Sequence, residues 1–188
     1  MLEQIKKQCK VYGVPLITGD MECILTTLVA VKKPRKILEI GSGIGYSGFV
    51  MCSAFSDAHI TTLELDKTRS DVAKENLKGF NATVVNCDCN SWLASNKEKF
   101  DFIFLDGPKG KYDLMLPDIV RSLNMGGTLV ADNIFFHGMV TGETEVTSGA
   151  RTLTRHLQKF IEDAKMNEEL DVQILEKADG VLIATKRN

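Results

Sequence analysis

Short, nearly continuous apolar runs alternate along the chain with longer segments whose apolar residues recur at helical spacing. Such runs predict strands covered on both faces, and the segments between them predict crossover helices. The predicted strands are residues 36–40, 59–65, 82–86, 100–106 and 128–133. The predicted helices are residues 1–12, a segment capped by Thr18 or Asp20 and ended before Pro34, and then 47–55, 66–78, 91–96, 112–123 and 150–165.

The end of the chain departs from this alternation. Two last strands, residues 171–176 and 181–186, flank Asp179-Gly180, which is typical of a tight turn. They are expected to form an antiparallel hairpin at or beside the sheet edge. The predicted fold class is therefore α/β, a Rossmann-like doubly wound and mostly parallel seven-stranded sheet with an antiparallel C-terminal hairpin and helices on both faces.

Composition adds what the pattern leaves open. A chain of 188 residues suits a single domain, 1–188. The net charge of −2 gives no bulk attraction to nucleic acid or an anionic membrane, and no apolar run is long enough to span a membrane. An odd count of 5 cysteines, without a signal-peptide pattern, indicates reduced thiols and a cytoplasmic location.

A glycine-dense turn follows the first strand. Gly41, Gly43 and Gly45 let the backbone turn tightly and let a ligand lie against it, ahead of a helix N-terminus. Glu64 closes the second strand, where a carboxylate can accept hydrogen bonds from a ribose diol. Together these features predict a nucleoside-bearing cofactor at the carboxyl ends of the strands. A tight turn without a ligand is the simpler alternative.

The identity of the cofactor depends on register and charge. Residues 43–48 match the dinucleotide pattern G-x-G-x-x-G, but the first glycine after the strand is Gly41, and from there the third glycine position falls on Tyr46. Glu39, at the end of the strand, would repel a pyrophosphate and attract a sulfonium amino acid. The pattern resembles the first motif of S-adenosylmethionine-dependent methyltransferases.

Oxygen-bearing side chains follow the fourth and fifth strands. Asp106 ends one strand, with Lys109 three residues later, and Asp132-Asn133 ends the next. Two carboxylates and an amide form an all-oxygen set that suits Mg²⁺, Mn²⁺ or Ca²⁺. Each aspartate alone would be an ordinary strand-end turn residue, and Lys109 a solvated loop lysine. Their coincidence favours a metal site with Lys109 as a general base.

Several motifs together resemble the cation-dependent O-methyltransferases, the family of catechol and caffeoyl-CoA O-methyltransferases and their small prokaryotic relatives. They are Glu-Ile-Gly-Ser-Gly-Ile-Gly-Tyr-Ser at 39–47, Phe-Asp-Phe-Ile-Phe-Leu-Asp-Gly-Pro-Lys-Gly-Lys-Tyr at 100–112, Gly-Gly-Thr-Leu-Val-Ala-Asp-Asn at 126–133, His137-Gly138, and Asp-Gly-x-x-x-Ala-x-Lys at 179–186. The chain departs from the family in carrying Cys87-Asp88-Cys89 where Gly-Asp-Ala is usual.

The resemblance implies a role for each matching residue. Asp106, Asp132 and Asn133 would bind the metal, and Lys109, with Asp106, would be catalytic. Glu64 would hold the ribose of S-adenosylmethionine, and Ser47 with the Gly41 region the methionine end. The full set of implied cofactor contacts is Ile17, Glu39, Gly41, Ser42, Gly43, Tyr46, Ser47, Glu64, Leu65, Asp88, Cys89 and Asp106.

The resulting hypothesis is an S-adenosylmethionine-dependent, Mg²⁺-dependent (or Mn²⁺- or Ca²⁺-dependent) O-methyltransferase. Its acceptor would be a small hydroxyl compound with vicinal or catechol-like oxygens. Phe135, Phe136, Met139 and Tyr112 suggest an apolar acceptor site, with core or dimer contacts as an equal alternative. A homodimer is expected from the resemblance, with no nucleic-acid or membrane partner. Two alternatives remain at this stage: a nicotinamide-dependent oxidoreductase and a non-catalytic cofactor-binding protein.

Overall fold

The structure, a computed structural model, describes residues 1–187, which fold into two compact units, Met1–Ser95 and Asn96 onward. The first unit contains α1 (Leu2–Tyr12), α2 (Gly19–Lys32), β1 (Lys36–Ile40), α3 (Tyr46–Ala54), β2 (His59–Glu64), α4 (Lys67–Asn76), β3 (Ala82–Asn86) and α5 (Cys89–Ser95). Both β1 with β2 and β2 with β3 pair in parallel. The carboxyl ends of these three strands therefore lie along one edge.

Local sequence signals set the helix starts of this unit. Thr18 caps α2 by accepting a hydrogen bond from the Met21 backbone N–H at 3.2 Å. Asp66 caps α4 in the same way, accepting from the Arg69 N–H at 2.8 Å. The helix after the glycine turn begins at Tyr46, and its capping residue Gly45 is left-handed with φ 86°. The glycine turn therefore leads directly into α3.

The second unit contains β4 (Phe100–Leu105), a 3-10 turn (Lys109–Lys111), α6 (Tyr112–Ser122), β5 (Leu123–Ala131), a second 3-10 turn (Ser148–Ala150), α7 (Arg151–Met166), β6 (Leu170–Leu175) and β7 (Val181–Lys186). Strands β4 and β5 are parallel, whereas β7 is antiparallel to both β5 and β6. The apolar run of β4 is buried at four consecutive positions, Phe102 to Leu105, as a strand covered on both faces should be.

All seven strands belong to one mixed sheet flanked by helices, ordered β3-β2-β1 in the first unit and β4-β5-β7-β6 in the second. The predicted fold class is confirmed, including the antiparallel hairpin with β6 as the edge strand. Most predicted helix and strand ends differ from the structure by one or two residues. One difference is larger, and it has a local cause.

This difference is the start of β5, which lies at Leu123 rather than at residue 128. Its pairing with β4 shifts register between Phe100 and Phe102, so residues predicted as a turn are part of the strand. A side chain at Gly127 would come within 2.8 Å of the Asn124 carbonyl oxygen, so only glycine fits there. The glycine pair marks a bulge inside a strand, and not the turn before it.

The connection between β6 and β7 spans residues 176–180 and contains the tight turn predicted at Asp179-Gly180, closed by a hydrogen bond from the Gly180 N–H to the Lys177 carbonyl at 2.9 Å. Ala178, Asp179 and Gly180 are all left-handed, with φ of 51°, 61° and 84°.

Residues 1–187 include no helix with both the length and the apolar character needed to cross a membrane. Cysteines 9, 23, 52, 87 and 89 form no disulfide with one another.

Candidate active site

The glycine turn after β1 is fixed by backbone hydrogen bonds and by close packing. The N–H groups of Gly41 and Ser42 both donate to the Leu63 carbonyl of β2, each at 3.1 Å. Gly43 has φ 52°, and an added Cβ there would lie 2.7 Å from the Val14 side chain. This glycine therefore has a packing reason, which the sequence did not reveal. Val14 of the α1–α2 connection covers the turn.

Glu39 lies beneath this turn and is fully buried. Its carboxylate accepts hydrogen bonds from the hydroxyls of Ser47 in α3 and Thr62 in β2, the latter at 2.5 Å. A buried carboxylate needs such donors to remain charged. Burial, and secondarily the charge of Glu39, raises the pKa of the Cys52 thiol to about 12. The first unit thus holds a negative group next to the turn.

Glu64 ends β2 and is held by the backbone of its neighbours. Its two carboxylate oxygens accept from the Gly43 N–H at 2.8 Å and the Asp66 N–H at 2.9 Å. The Asn86 amide at the end of β3 donates to the carbonyl oxygens of Glu64 and Leu65, both at 2.9 Å. Because a carboxylate can accept about four hydrogen bonds, Glu64 keeps capacity for a diol.

The other predicted cofactor contacts of this unit have varied surroundings. The Ser42 hydroxyl is buried without a hydrogen-bond partner, whereas the Tyr46 hydroxyl donates to Glu22 of α2 at 2.7 Å. Asp88 accepts from the N–H and hydroxyl of Ser91 and so caps α5, which Cys89 begins. Ile17 is half-buried, and Leu65 is 71% exposed. The structure therefore connects Glu39, Gly43, Ser47 and Glu64 most directly to the turn and its supporting strands.

In the second unit, Asp106 follows β4 and Asp132 follows β5. Lys109 Nζ lies 3.1 Å from Asp106 Oδ1, and both side chains are largely buried. Asp132 is 2% exposed, and its carboxylate accepts from the Asn133 N–H at 2.8 Å. Burial raises the pKa of Asp106, although Lys109 opposes this. Burial, and then the charge of Asp106, raises the pKa of Asp132 to about 7.

These groups form a site with more negative than positive charge. Two carboxylates repel each other, and Lys109 is the cation that opposes both pKa shifts. A hard divalent cation fits such a donor set, together with the amide oxygen of Asn133. Within residues 1–187 no cluster of three or more histidine, cysteine, aspartate or glutamate side chains is arranged to hold a metal. A cation here would therefore need oxygen ligands from water or an acceptor.

Sequence reasoning missed one residue beside this site and left the place of another open. Asp179 accepts hydrogen bonds from the His137 N–H and contributes to the raised pKa of Asp132. Its sequence signals were the Asp-Gly pair and the motif at 179–186 that begins with it, and neither assigned it to this site. Tyr112, for which the sequence left an acceptor-site and a core position open, is a core residue: it is fully buried, packs edge-on against Phe160 and donates to the Leu105 carbonyl at 3.2 Å.

Comparison with known proteins places this geometry in a family. A family model described as O-methyltransferase matches residues 1–187. The chain belongs to the O-methyltransferase family.

Individual relatives agree with this assignment. Tapetum-specific methyltransferase 1 of Arabidopsis thaliana is 24% identical over 184 residues, covering 93% of this chain and 78% of that protein. Catechol O-methyltransferase of Sus scrofa is 27% identical over 160 residues, covering 79% and 86%. An O-methyltransferase from Bacillus cereus, solved in complex with SAH, superposes with a TM-score of 0.87 at 22% identity, covering 99% and 90%.

The predicted family and enzyme class, S-adenosylmethionine-dependent O-methyl transfer, are thereby confirmed, and they favour the methyltransferase over the two alternatives. The roles of individual site residues and the single-domain organisation stay predictions.

Proposed function

We propose that this O-methyltransferase requires a divalent cation, most simply Mg²⁺, and methylates one hydroxyl of a small acceptor with two vicinal oxygens, such as a catechol. The observation that carries the proposal is the pair of buried carboxylates, Asp106 and Asp132, opposed by Lys109. Mn²⁺ or Ca²⁺ would suit the same oxygens. Kinship with a catechol O-methyltransferase supports the acceptor class.

The cofactor half of the proposal assigns S-adenosylmethionine to the glycine turn of the first unit. Glu64 would accept the ribose hydroxyls, since its carboxylate accepts from two backbone N–H groups and keeps capacity for further donors. Glu39 and Ser47 would lie on the methionine side, where a buried negative charge favours a sulfonium. Ser42 would supply its unpartnered buried hydroxyl. Asp88 and Cys89 would lie on the adenine side.

In the second unit, Asp106, Asp132 and Asn133 would hold the cation. When bound, the cation would supply Lewis-acid stabilisation of the acceptor oxygen that loses its proton. Lys109 would accept that proton as a general base in its neutral amine form, which the positive charges of a bound divalent cation and of the sulfonium would favour over the ammonium. The O–CH₃ bond would form as the S–CH₃ bond breaks, leaving S-adenosylhomocysteine. Asp106 would also orient Lys109, since their side chains are 3.1 Å apart.

We further propose a cytoplasmic homodimer that binds neither nucleic acid nor membrane. Exposed apolar side chains support a self-association surface: Val11 is 80% and Tyr12 38% exposed at the end of α1. The small net charge of −2 supports the absence of a polyanionic partner. A monomeric mass in light scattering at micromolar concentration would contradict the dimer.

The test is methyl transfer from labelled S-adenosylmethionine to a panel of vicinal diphenols, with Mg²⁺ or with excess EDTA. Monophenols and mono-methylated diphenols are matched acceptor controls, because the former lack one of the two oxygens and the latter lack one of the two free hydroxyls. We expect activity on diphenols alone, lost in EDTA and restored by excess Mg²⁺. Full activity in EDTA would contradict the metal requirement. Thermal stabilisation by NADH and not by S-adenosylhomocysteine would contradict the cofactor.

A further inference from the structure

The loop that follows β5, residues 132–140, is joined to the β6–β7 turn by a dense set of hydrogen bonds. The Ile134 N–H donates to the Gly180 carbonyl at 3.0 Å, and the Phe135 N–H donates to the Asp179 carbonyl at 2.9 Å. The His137 N–H donates to both carboxylate oxygens of Asp179, at 2.9 and 2.8 Å. Asp179 thus binds the loop through its backbone and its side chain.

This junction concentrates unusual backbone conformations. Asn133, Phe136 and His137 in the loop are left-handed, with φ of 51°, 48° and 57°. Ala178 and Asp179 in the turn are left-handed as well. A non-glycine residue adopts this conformation only where its surroundings over-determine it. On the turn side, the hydrogen bonds that Asp179 accepts from Phe135 and His137 are the main contacts that hold these conformations.

Close packing makes the junction rigid as well as hydrogen-bonded. The Phe135 ring occupies the space beside Gly180, where an added Cβ would lie 2.5 Å from the ring. The Asn133 side-chain Nδ2 points to the Ala178 carbonyl at 3.4 Å. An amide whose nitrogen faces a carbonyl presents its oxygen in the other direction. The turn therefore also orients the amide of Asn133.

We propose that Asp179 is a positioning residue of the second-unit site: by holding the β5 loop, it sets the orientation in which Asn133 offers its amide oxygen to the cation. This rests on the proposed function, which assigns Asn133 as a metal ligand. Asp179 itself lies outside the ligand set. Groups that orient metal ligands from outside commonly change metal affinity by about 10- to 100-fold when removed.

The variants follow from the left-handed conformation of Asp179. Asp179→Gly removes the carboxylate without backbone strain, because glycine adopts positive φ freely. Asp179→Asn tolerates the same conformation and keeps one acceptor oxygen for the His137 N–H. Asp171→Asn is the matched control, since it removes an exposed carboxylate from β6 of the same hairpin. His137→Ala keeps the backbone donor and removes only the imidazole.

Three measurements distinguish a positioning role of Asp179 from general destabilisation of the fold. Calorimetric titration with Mn²⁺ should show affinity lowered about 10- to 100-fold in Asp179→Gly, less in Asp179→Asn, and unchanged in Asp171→Asn and His137→Ala. Hydrogen exchange of residues 133–140 in the metal-free protein should accelerate in the same order. S-adenosylhomocysteine affinity should stay at the wild-type value in all four, because its proposed site lies in the first unit.

The outcomes distinguish this inference from the proposed function. Wild-type Mn²⁺ affinity and wild-type exchange in both Asp179 variants would overturn the inference and leave the metal site standing. If the wild-type protein binds no Mn²⁺, the metal proposal and this inference fall together. If Asp179→Gly does not fold, Asp179→Asn decides, with weakened Mn²⁺ binding supporting the inference and unchanged binding overturning it.

Discussion

The two units end their parallel strands in acidic residues, but they treat those carboxylates differently. In the first unit, Glu39 accepts from Ser47 and Thr62, and Glu64 accepts from two backbone N–H groups. In the second unit, burial raises the pKa of both Asp106 and Asp132. The first set is stabilised by donors that the chain itself supplies. In the second set, Asp106 and Asp132 repel each other, and the positive charge of Lys109 offsets this repulsion only in part.

This difference matches two kinds of ligand. Hydrogen-bonded carboxylates are pre-oriented acceptors, suited to ligand hydroxyl groups and to a cationic centre. Carboxylates that share a buried site without enough positive charge gain most from a metal ion, because the ion relieves their repulsion directly. The comparison therefore predicts opposite responses to removal of one charge. A metal-free protein should tolerate loss of Asp132 and should be destabilised by loss of Glu39.

The largest expected effect is that of Asp132→Asn on metal binding and turnover. Removing a charged ligand should lower Mn²⁺ affinity by at least about 100-fold, since even outer partners cost about 10- to 100-fold. Turnover should fall to the level measured in EDTA, while the melting temperature of the metal-free protein stays equal or rises. Glu39→Gln should lower that melting temperature. A less stable metal-free Asp132→Asn protein would contradict the contrast between the units.

Lys109→Ala should have the next largest effect, confined to catalysis. A positioned general base commonly contributes about 10²- to 10⁴-fold, so kcat should fall within that range at neutral pH. The loss should shrink as pH rises, because hydroxide then removes the acceptor proton. Mn²⁺ and S-adenosylhomocysteine affinities, measured by calorimetry, should change little. Lys111→Ala, in the same 3-10 turn but exposed, is the control. An unchanged kcat would remove Lys109 from the mechanism.

The same contrast explains what the sequence could predict. Strand ends in a parallel sheet are set by apolar runs, so the acidic residues at those ends could be assigned to one edge from the pattern alone. The candidate metal ligands Asp106 and Asp132 could be predicted from the sequence for that reason. The start of a helix could be predicted where a capping residue is present, as at Thr18 and Asp66.

Contacts between residues far apart in the chain could not be predicted from the sequence. Val14 lies 29 residues before Gly43 in the chain, and no local pattern indicates that it covers that glycine. Asp179 lies 42 residues after His137, whose backbone it binds. Both contacts join loops, whose conformations depend on packing partners rather than on periodicity. The glycine turn was found correctly, but the reason for one of its glycines lay outside the turn.

Gly43→Ala tests that reason and should produce an intermediate effect on stability. The left-handed backbone costs an alanine about 1–2 kcal/mol, and overpacking against Val14 adds about 1–3 kcal/mol. Gly13→Ala is the matched control, since Gly13 has φ 60° with nothing within 4 Å of an added Cβ. Urea unfolding should show a larger loss for Gly43→Ala, and Val14→Ala should restore part of it. Equal losses at both glycines would mean that Val14 does not restrict the turn.

The smallest effect expected of a substitution is that of Glu39→Gln on Cys52, whose thiol reports the charge of Glu39. With its pKa raised from 9.0 to about 12, Cys52 should carry about 10³-fold less thiolate than an ordinary cysteine near neutral pH, and it should alkylate far more slowly than exposed Cys23. The folded state keeps this proton longer than the unfolded chain does. Its contribution to stability is therefore complete below pH 9 and is lost as pH rises toward 12.

Glu39→Gln sharpens this measurement, because it removes the lesser of the two causes of the Cys52 shift and leaves burial in place. Alkylation of Cys52, followed by mass spectrometry between pH 8 and pH 10, should accelerate by less than about tenfold, which corresponds to under one pKa unit. Thr83→Val, in β3, is a control that leaves the carboxylate and its donors intact. No acceleration in Glu39→Gln would mean that the hydrogen bonds from Ser47 and Thr62 already screen the charge. The carboxylates of the first unit would then be still better compensated than those of the second.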